Sequence, residues 1–263
     1  MADATGFHLK GSAPERYEHY VAPLMAPFVT ALVDAADLFP GATVLDLACG
    51  TGFAARAAAA QAGPTGRVAG ADLNDGMLKI ATACHPRLYP DIEFTPAPAD
   101  DLPYPDAAFD AVLCQQGAQF FPDLGAALKE TARVTRPGGR FAATVWSHLD
   151  DSPYFVAQRD ALAEHGETVV PFEAAFQAAD RLTAAAARAG FHDIIRSRLT
   201  FTVTLPPLEE YVPGHLSATP WGQAIADSDD DEALLRTARS IVDRLPEATT
   251  SFPFTATLVT AVR

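Results

Sequence analysis

The run Val44-Leu45-Asp46-Leu47-Ala48-Cys49-Gly50-Thr51-Gly52, followed twenty residues after Gly52 by Asp72, constrains this chain more than any other feature. An apolar strand enters a glycine turn, a helix follows, and a carboxylate stands at the end of the next apolar run. This is the layout of a βαβ unit that holds an adenosyl group. The glycines let backbone approach the ligand, and the acidic residue accepts from ribose hydroxyls.

Strands are predicted at 43–47, 67–71, 92–94, 109–114 and 140–146, with helical patterns between them. Leu24, Phe28, Leu32, Ala35 and Phe39 fall near helical spacing ahead of the first strand, and Pro40-Gly41 stops that helix. Asp75 is the expected cap of the helix carrying Met77, Leu78 and Ile80, and Pro137-Gly138-Gly139 turns a later helix into the fifth strand. After Trp146 the pattern becomes mostly helical over 147–190 and 207–246. Alternating residues at 194–205 and a last apolar run at 254–262 complete the strands. The fold class expected is α/β: a Rossmann-like, doubly wound, seven-stranded and mostly parallel sheet with an antiparallel last strand, plus a helical insertion or lid. Residues 1–40 are read as an N-terminal helical lid, 41–146 as the cofactor-binding core, and 147–263 as the rest of the sheet with two substrate-cover insertions.

At 263 residues, 49% of them apolar, the chain can bury the core of one generous domain. Its 19 basic residues against 33 acidic give a net charge of −14, which argues against a nucleic-acid partner. No apolar run approaches a bilayer span and no signal-peptide pattern opens the chain. Cys49, Cys84 and Cys114 each sit inside an apolar element, so buried thiols in a reducing cytoplasm are expected. The run Asp227-Ser228-Asp229-Asp230-Asp231-Glu232 lacks the spacing and glycine of a calcium loop, and reads as a solvated loop capping the next helix. The expected partner is a small molecule, with no nucleic acid and no membrane insertion; homodimerisation is left open.

Gly50-Thr51-Gly52-Phe53-Ala54-Ala55 formally matches a dinucleotide fingerprint. Asp46, at the end of the strand, would repel a pyrophosphate but attract an amino group or a sulfonium. S-adenosyl-L-methionine carries both of those cations and no phosphate, so Asp46 points to that cofactor, with S-adenosylhomocysteine as its product.

Four ordered motifs then give the chain its resemblance. They are Val44 to Gly52, Gly70-Ala71-Asp72-Leu73-Asn74-Asp75-Gly76-Met77-Leu78, Leu102-Pro103-Tyr104-Pro105-Asp106-Ala107-Ala108-Phe109-Asp110, and Arg133-Val134-Thr135-Arg136-Pro137-Gly138-Gly139. Over about 40–146 the sequence resembles the class I S-adenosylmethionine-dependent methyltransferases, and is similar to the small-molecule ubiquinone/menaquinone-biosynthesis group. The resemblance implies that Ala48, Gly50 and Gly52 offer backbone or close approach to the methionine part, and that Asp72 accepts both ribose hydroxyls. Leu73 and Met77 match positions that flank the adenine, although Met77 reads equally as helix core. Gln115 falls where the family's carbonyl meets the methionine amine, and Gln116, Gln119 and Phe120 line the same crevice. In Arg16-Tyr17-Glu18-His19-Tyr20, Tyr17 matches a hydroxyl donor to the cofactor's carboxylate, while Tyr20 is either a substrate wall or helix packing. Two departures stand out. Ala48 replaces a glycine common in relatives, a change expected to cost little room. Pro98 stands where the family has the adenine-binding Asp; it leaves the N–H of Ala99 for the adenine and Asp100 either as a substitute carboxylate or as a loop residue.

The reaction so implied is in-line methyl transfer to O, C or N of a hydrophobic or aromatic molecule. His19, His148 and His215 are the candidate bases, each also readable as structural or solvated. Tyr154, Phe172, Phe176, Tyr211 and Trp221 are read either as acceptor wall or as helix packing. No residue spacing suggests a metal or a covalent nucleophile. The alternatives are a protein of this fold that binds the same cofactor but catalyses a cyclisation, or, more remotely, an NAD(P)-dependent oxidoreductase.

Overall fold

The first strand, β1 (Thr43–Leu47), lies in the interior of the sheet between two parallel neighbours, and all but its first residue are buried. Seven strands form in the computed structural model, which describes residues 9, 11–84, 91–166, 170–226 and 232–263. β1 is followed by α3 (Phe53–Ala62), β2 (Arg67–Asp72), α4 (Asp75–Ala83), β3 (Ile92–Pro96) and β4 (Phe109–Gln115). Before it run α1 (Ala13–Arg16), a π-turn (Tyr17–Val21) and α2 (Ala22–Ala35). After β4 come α5 (Leu124–Val134), β5 (Thr135–Trp146), α6 (Pro153–Glu164), α7 (Val170–Ala174) and α8 (Ala178–Arg188). The chain then forms β6 (His192–Thr204), α9 (Leu208–Ser217), α10 (Pro220–Ala226), α11 (Ala233–Asp243) and β7 (Ser251–Val262). The strand order is β3-β2-β1-β4-β5-β7-β6, and β7 pairs antiparallel with both β5 and β6 while the other pairings are parallel. The expected sheet is therefore the one formed. β5 starts earlier than expected, at Thr135, and carries Arg136 to Gly139 as an excursion between the pairs Phe109–Thr135 and Ala111–Arg140.

Helices cover both faces. Ala54, Ala55, Ala58, Ala59 and Ala62 of α3 are buried in the same core as α2, α6 and α9, small side chains that let the helix lie close to the strands. On the opposite face α5 packs with Ala178, Leu182, Ala185 and Ala186 of α8. The helices of residues 147–190 thus divide between the two faces, α6 and α7 on one and α8 on the other.

The N-terminal helix departs from regular geometry for a chemical reason. Pro23 has no N–H to give the carbonyl four residues back, and the Ala22 N–H reaches instead to the Tyr17 carbonyl, five residues away. This helix ends at Ala35, where Asp37 takes φ 52°, so Phe39 lies outside it and is 47% exposed. Other local corrections are small. Asn74, not Asp75, caps α4, its Oδ1 accepting from the N–H groups of Gly76 and Met77. Cys49 and Cys114 are buried as expected, but Cys84 is exposed at the end of α4. The acidic run 227–231 lies outside the described residues. Among the described residues no helix is long and apolar enough to cross a membrane.

The turn from β1 to α3 uses its glycines differently. Gly50 (φ 53°) has open space where a Cβ would project, whereas a Cβ on Gly52 (φ 79°) would come within 2.8 Å of the Phe94 ring. Gly50→Ala should cost roughly 1–2 kcal/mol, the backbone strain alone. Gly52→Ala should cost roughly 2–4 kcal/mol, strain plus overpacking. Urea denaturation of the two variants compares them, and equal losses would contradict this packing.

Candidate functional site

β1 has β2 on one side and β4 on the other, so the chain leaves their carboxyl ends in opposite directions and opens a crevice there. A cleft of about 990 Å³, including its open mouth, occupies that point. Its floor is the turn after β1 and the segment after β4. Both turns contain a non-glycine residue in left-handed conformation, Ala48 (φ 55°) and Gln116 (φ 50°). Ala48 therefore costs more than the room of a methyl group: an L-residue there pays about 1–2 kcal/mol of backbone strain. The two turns also touch closely, since a Cβ on Gly117 would lie 2.6 Å from the Ala48 Cβ.

Two carboxylates organise the floor. Asp72 Oδ2 accepts the Gly50 N–H and its Oδ1 the Asn74 N–H, both at 2.8 Å, which ties the ends of β1 and β2 together. Asp46 is fully buried, and its Oδ2 accepts the Ala55 N–H at 2.8 Å, so it serves the first turn of α3 from inside the sheet. Its Oδ1 is buried with no partner, and burial pushes the carboxyl up to about 7. Asp46 opens onto a small chamber behind the cleft, walled also by Tyr17, Met25 and Phe53. The Thr51 hydroxyl and the Gln115 amide nitrogen in the same wall are likewise buried and unpartnered.

The N-terminal segment is strapped across this site. Glu18 pairs with Arg56 of α3 at 2.6 Å, and Arg56 also donates to the Thr51 carbonyl at 2.7 Å. Asn74 donates its side-chain amide to the Leu9 carbonyl, and Leu9 and Ala13 pack with Met77. On the far side the Tyr211 hydroxyl donates to the Tyr20 carbonyl at 2.8 Å, and Arg16 to the Ser217 carbonyl at 3.1 Å. The Tyr20 ring lies so close to Gly214 that a side chain there would overlap it. Tyr17, held under the strap, lines both the cleft and the chamber. Burial and the neighbouring acids Asp72, Glu18 and Asp46 push its hydroxyl pKa up, so it remains a donor at neutral pH.

Of the residues singled out in the sequence, Tyr17, Ala48, Gly50, Asp72, Leu73, Met77, Ala99, Asp100, Gln115 and Gln116 all line the cleft, and Asp46 lines the chamber. Gly52 lines neither; it faces Phe94. Met77 does both things proposed for it, helix core and cleft wall. The candidate bases fare differently, because none of the three histidines lines the cleft. His19 and His148 are exposed. His215 is buried between aromatic rings, its Nδ1 3.1 Å from the Tyr154 hydroxyl, and burial pushes it down to about 4. Tyr154, Phe172, Phe176 and Tyr211 are packed in that interior and do not line the cleft either. Residues to which the sequence reading gave no role, Asn74, Phe121 and Arg56, complete the site; only the spacing of Glu18 and Arg56 in space, not in sequence, reveals that pair.

Residues 45–143 match a protein family described as "Methyltransferase domain". The demethylmenaquinone methyltransferase of Bacillus licheniformis is 44% identical over 100 residues, 38% of this chain and 43% of that protein. The ubiquinone/menaquinone biosynthesis C-methyltransferase of Burkholderia orbicola is 39% identical over 119 residues, 44% of this chain and 48% of that protein. The match thus spans less than half of these relatives. The fold is shared with the YcgJ protein of Bacillus subtilis at a TM-score of 0.58 and 18% identity, covering 90% of this chain and 98% of the other. Residues 45–143 of this chain are thus similar to a methyltransferase domain.

Asp46 and His215 oppose one another in pH dependence. Asp46 rises from 3.8 to about 7 on folding, so its contribution to stability is lost as pH increases through that window, by roughly 4 kcal/mol at most. His215 falls from 6.5 to about 4, so stability is lost as pH decreases from about 6.5. Without ligand, Asp46→Asn should raise the melting temperature at pH 8, and His215→Gln should blunt acid destabilisation below pH 6. Thermal denaturation of each variant across pH 4–8 checks both signs.

Proposed function

We propose that the chain binds S-adenosyl-L-methionine in the crevice between β1 and β4 and transfers its methyl group to a small hydrophobic or aromatic acceptor. The buried, unpartnered Oδ1 of Asp46 carries this proposal. A buried carboxylate oxygen beside a glycine turn and a small chamber suits a cation, and would repel a pyrophosphate. The family match over 45–143 supports the same reaction class.

The cofactor would supply an activated methyl group on a sulfonium with a neutral leaving group. The chain supplies the hold. Asp72, whose two oxygens accept the N–H groups of Gly50 and Asn74 at the edge of the cleft, would accept the ribose hydroxyls. Ala48 and Gly50 offer backbone, Tyr17 a hydroxyl donor and Gln115 a carbonyl for the methionine part; Asp46 would face its ammonium. Leu73 and Met77 flank the adenine end, where Pro98 brings no donor or carboxylate and Ala99 and Asp100 stand beside it. With no histidine on the cleft wall among the described residues, catalysis rests on alignment and on exclusion of water by the strap. The two curated relatives are named for methylation in quinone biosynthesis, and a planar ring of that kind suits the Phe120 and Phe121 side of the cleft.

Calorimetry with S-adenosylhomocysteine tests the cofactor. Binding is expected, and Asp72→Ala should weaken it by roughly 1–3 kcal/mol, about ten- to hundredfold. Incubation with S-adenosylmethionine and an aromatic acceptor panel should release S-adenosylhomocysteine. Binding without that product across the panel would favour a non-transfer reaction, and stabilisation by NAD(P) alone would overturn the proposal.

A further inference from the structure

Three helices begin beside the cleft, and at each of them a backbone N–H that could have held an anion is taken by an oxygen of the chain itself. Asp46 Oδ2 accepts the Ala55 N–H in the first turn of α3 at 2.8 Å. Asn74 Oδ1 accepts the N–H groups of Gly76 and Met77 at the start of α4. Asp123 Oδ1 accepts the Ala126 N–H at the start of α5 at 2.9 Å. A helix N-terminus is a ready device for holding a phosphate or carboxylate, and a carboxylate of the protein's own cancels that attraction.

The side chains point the same way. Asp72, Asp100 and Asp123 line the cleft, and among the described residues no lysine, arginine or histidine does. Arg56 of α3 is already paired with Glu18. Arg181 and Arg188 of α8 line a separate groove, which shares only Phe121, Pro122 and Asp123 with the cleft. The whole chain reinforces this field, with 33 acidic residues against 19 basic. An anion entering the cleft would give up its hydration close to fixed carboxylates, with no cation to replace the lost water.

Asp72 and Asp100 stand at the ribose and adenine ends of the site proposed above. Asp123 has no part there, and lines the cleft together with Phe120 and Phe121. Resting on that proposed function, we infer that Asp123 is a specificity residue: it makes the aromatic side of the cleft take neutral or cationic methyl acceptors and turn away those that carry a carboxylate, sulfonate or phosphate. Such repulsion acts across space and is a way of rejecting the wrong ligand without any contact to the right one. The charge of Asp123 can be separated from its service to α5, because asparagine caps a helix as well as aspartate does.

The test uses the full chain loaded with S-adenosylhomocysteine, which has no sulfonium, so that the field sensed is the protein's own. Calorimetry at low salt compares 2-naphthoate, 2-naphthamide and 2-naphthamidine, which share nearly one shape and differ in charge. Wild type should bind the amide and the amidinium at least about tenfold more tightly than the carboxylate, and added salt should narrow that gap. Asp123→Asn should tighten the carboxylate and weaken the amidinium, each by about threefold, and leave the amide and S-adenosylhomocysteine within about twofold of wild type. Opposite responses of anion and cation around an unmoved neutral compound identify a charge effect, whereas a disturbed helix start would move all three in one direction. Wild type that binds the carboxylate as tightly as the amide, or binds none of the three, would overturn the inference. So would an Asp123→Asn variant that keeps the full gap between carboxylate and amidinium. Failure of wild type to bind S-adenosylhomocysteine would instead overturn the cofactor assignment beneath it.

Discussion

A buried carboxylate divided between two tasks sets the character of this molecule. Asp46 gives one oxygen to the first turn of α3, satisfying an N–H that the helix cannot bond internally, and keeps the other buried with no partner. The first task fixes where the glycine turn meets the helix. The second stores an unfavourable interaction, because desolvation raises the carboxyl to about 7 in the absence of a cation. Folding tolerates that cost through the large apolar cores on both faces of the sheet, and a cationic ligand would recover it on binding.

The rest of the site is built around that carboxylate by segments far apart in sequence. Asp72 secures the turn from β2, and the Glu18–Arg56 pair brings the N-terminal segment onto the same helix. The π-turn at Tyr17–Val21, made necessary by Pro23, puts Tyr17 over the chamber, with Tyr20 against α9. The strap therefore connects the half of the chain that carries the cleft to the helices after β6.

Much of this was legible in the sequence, and for identifiable reasons. The β1 turn, Asp72 and the strand order follow from local patterns, since glycine spacing and apolar alternation act over a few residues. Ten of the cleft-lining residues were named through the family resemblance; most stand beside strand ends, where a doubly wound sheet places its ligand, while Tyr17 comes from the N-terminal segment and Met77 from α4. What failed depended on the orientation of side chains in tertiary space. His215 and Tyr211 lie one helical turn apart on α9, a spacing that fits a buried face as well as an active one, and the fold turned them into the interior. His148 follows β5 at the right edge of the sheet, yet the chain there exposes it to solvent. The strain at Ala48 was invisible because it belongs to φ and not to side-chain volume. Gln116 and Gln119 were both expected to line the crevice, but only Gln116 does; Gln119 is turned away and hydrogen-bonds to it, an orientation no motif reveals.

The most direct measurement of the central claim is the titration of the Asp46 carboxyl by carbon-detected nuclear magnetic resonance, without ligand and with S-adenosylmethionine bound. The ligand-free protein should titrate near 7. With the cofactor in place, the adjacent ammonium should hold the carboxylate ionised and lower its pKa by more than about one unit. An Asp46 that titrates in the ordinary carboxylate range without ligand, or that does not respond to the cofactor, would contradict the account.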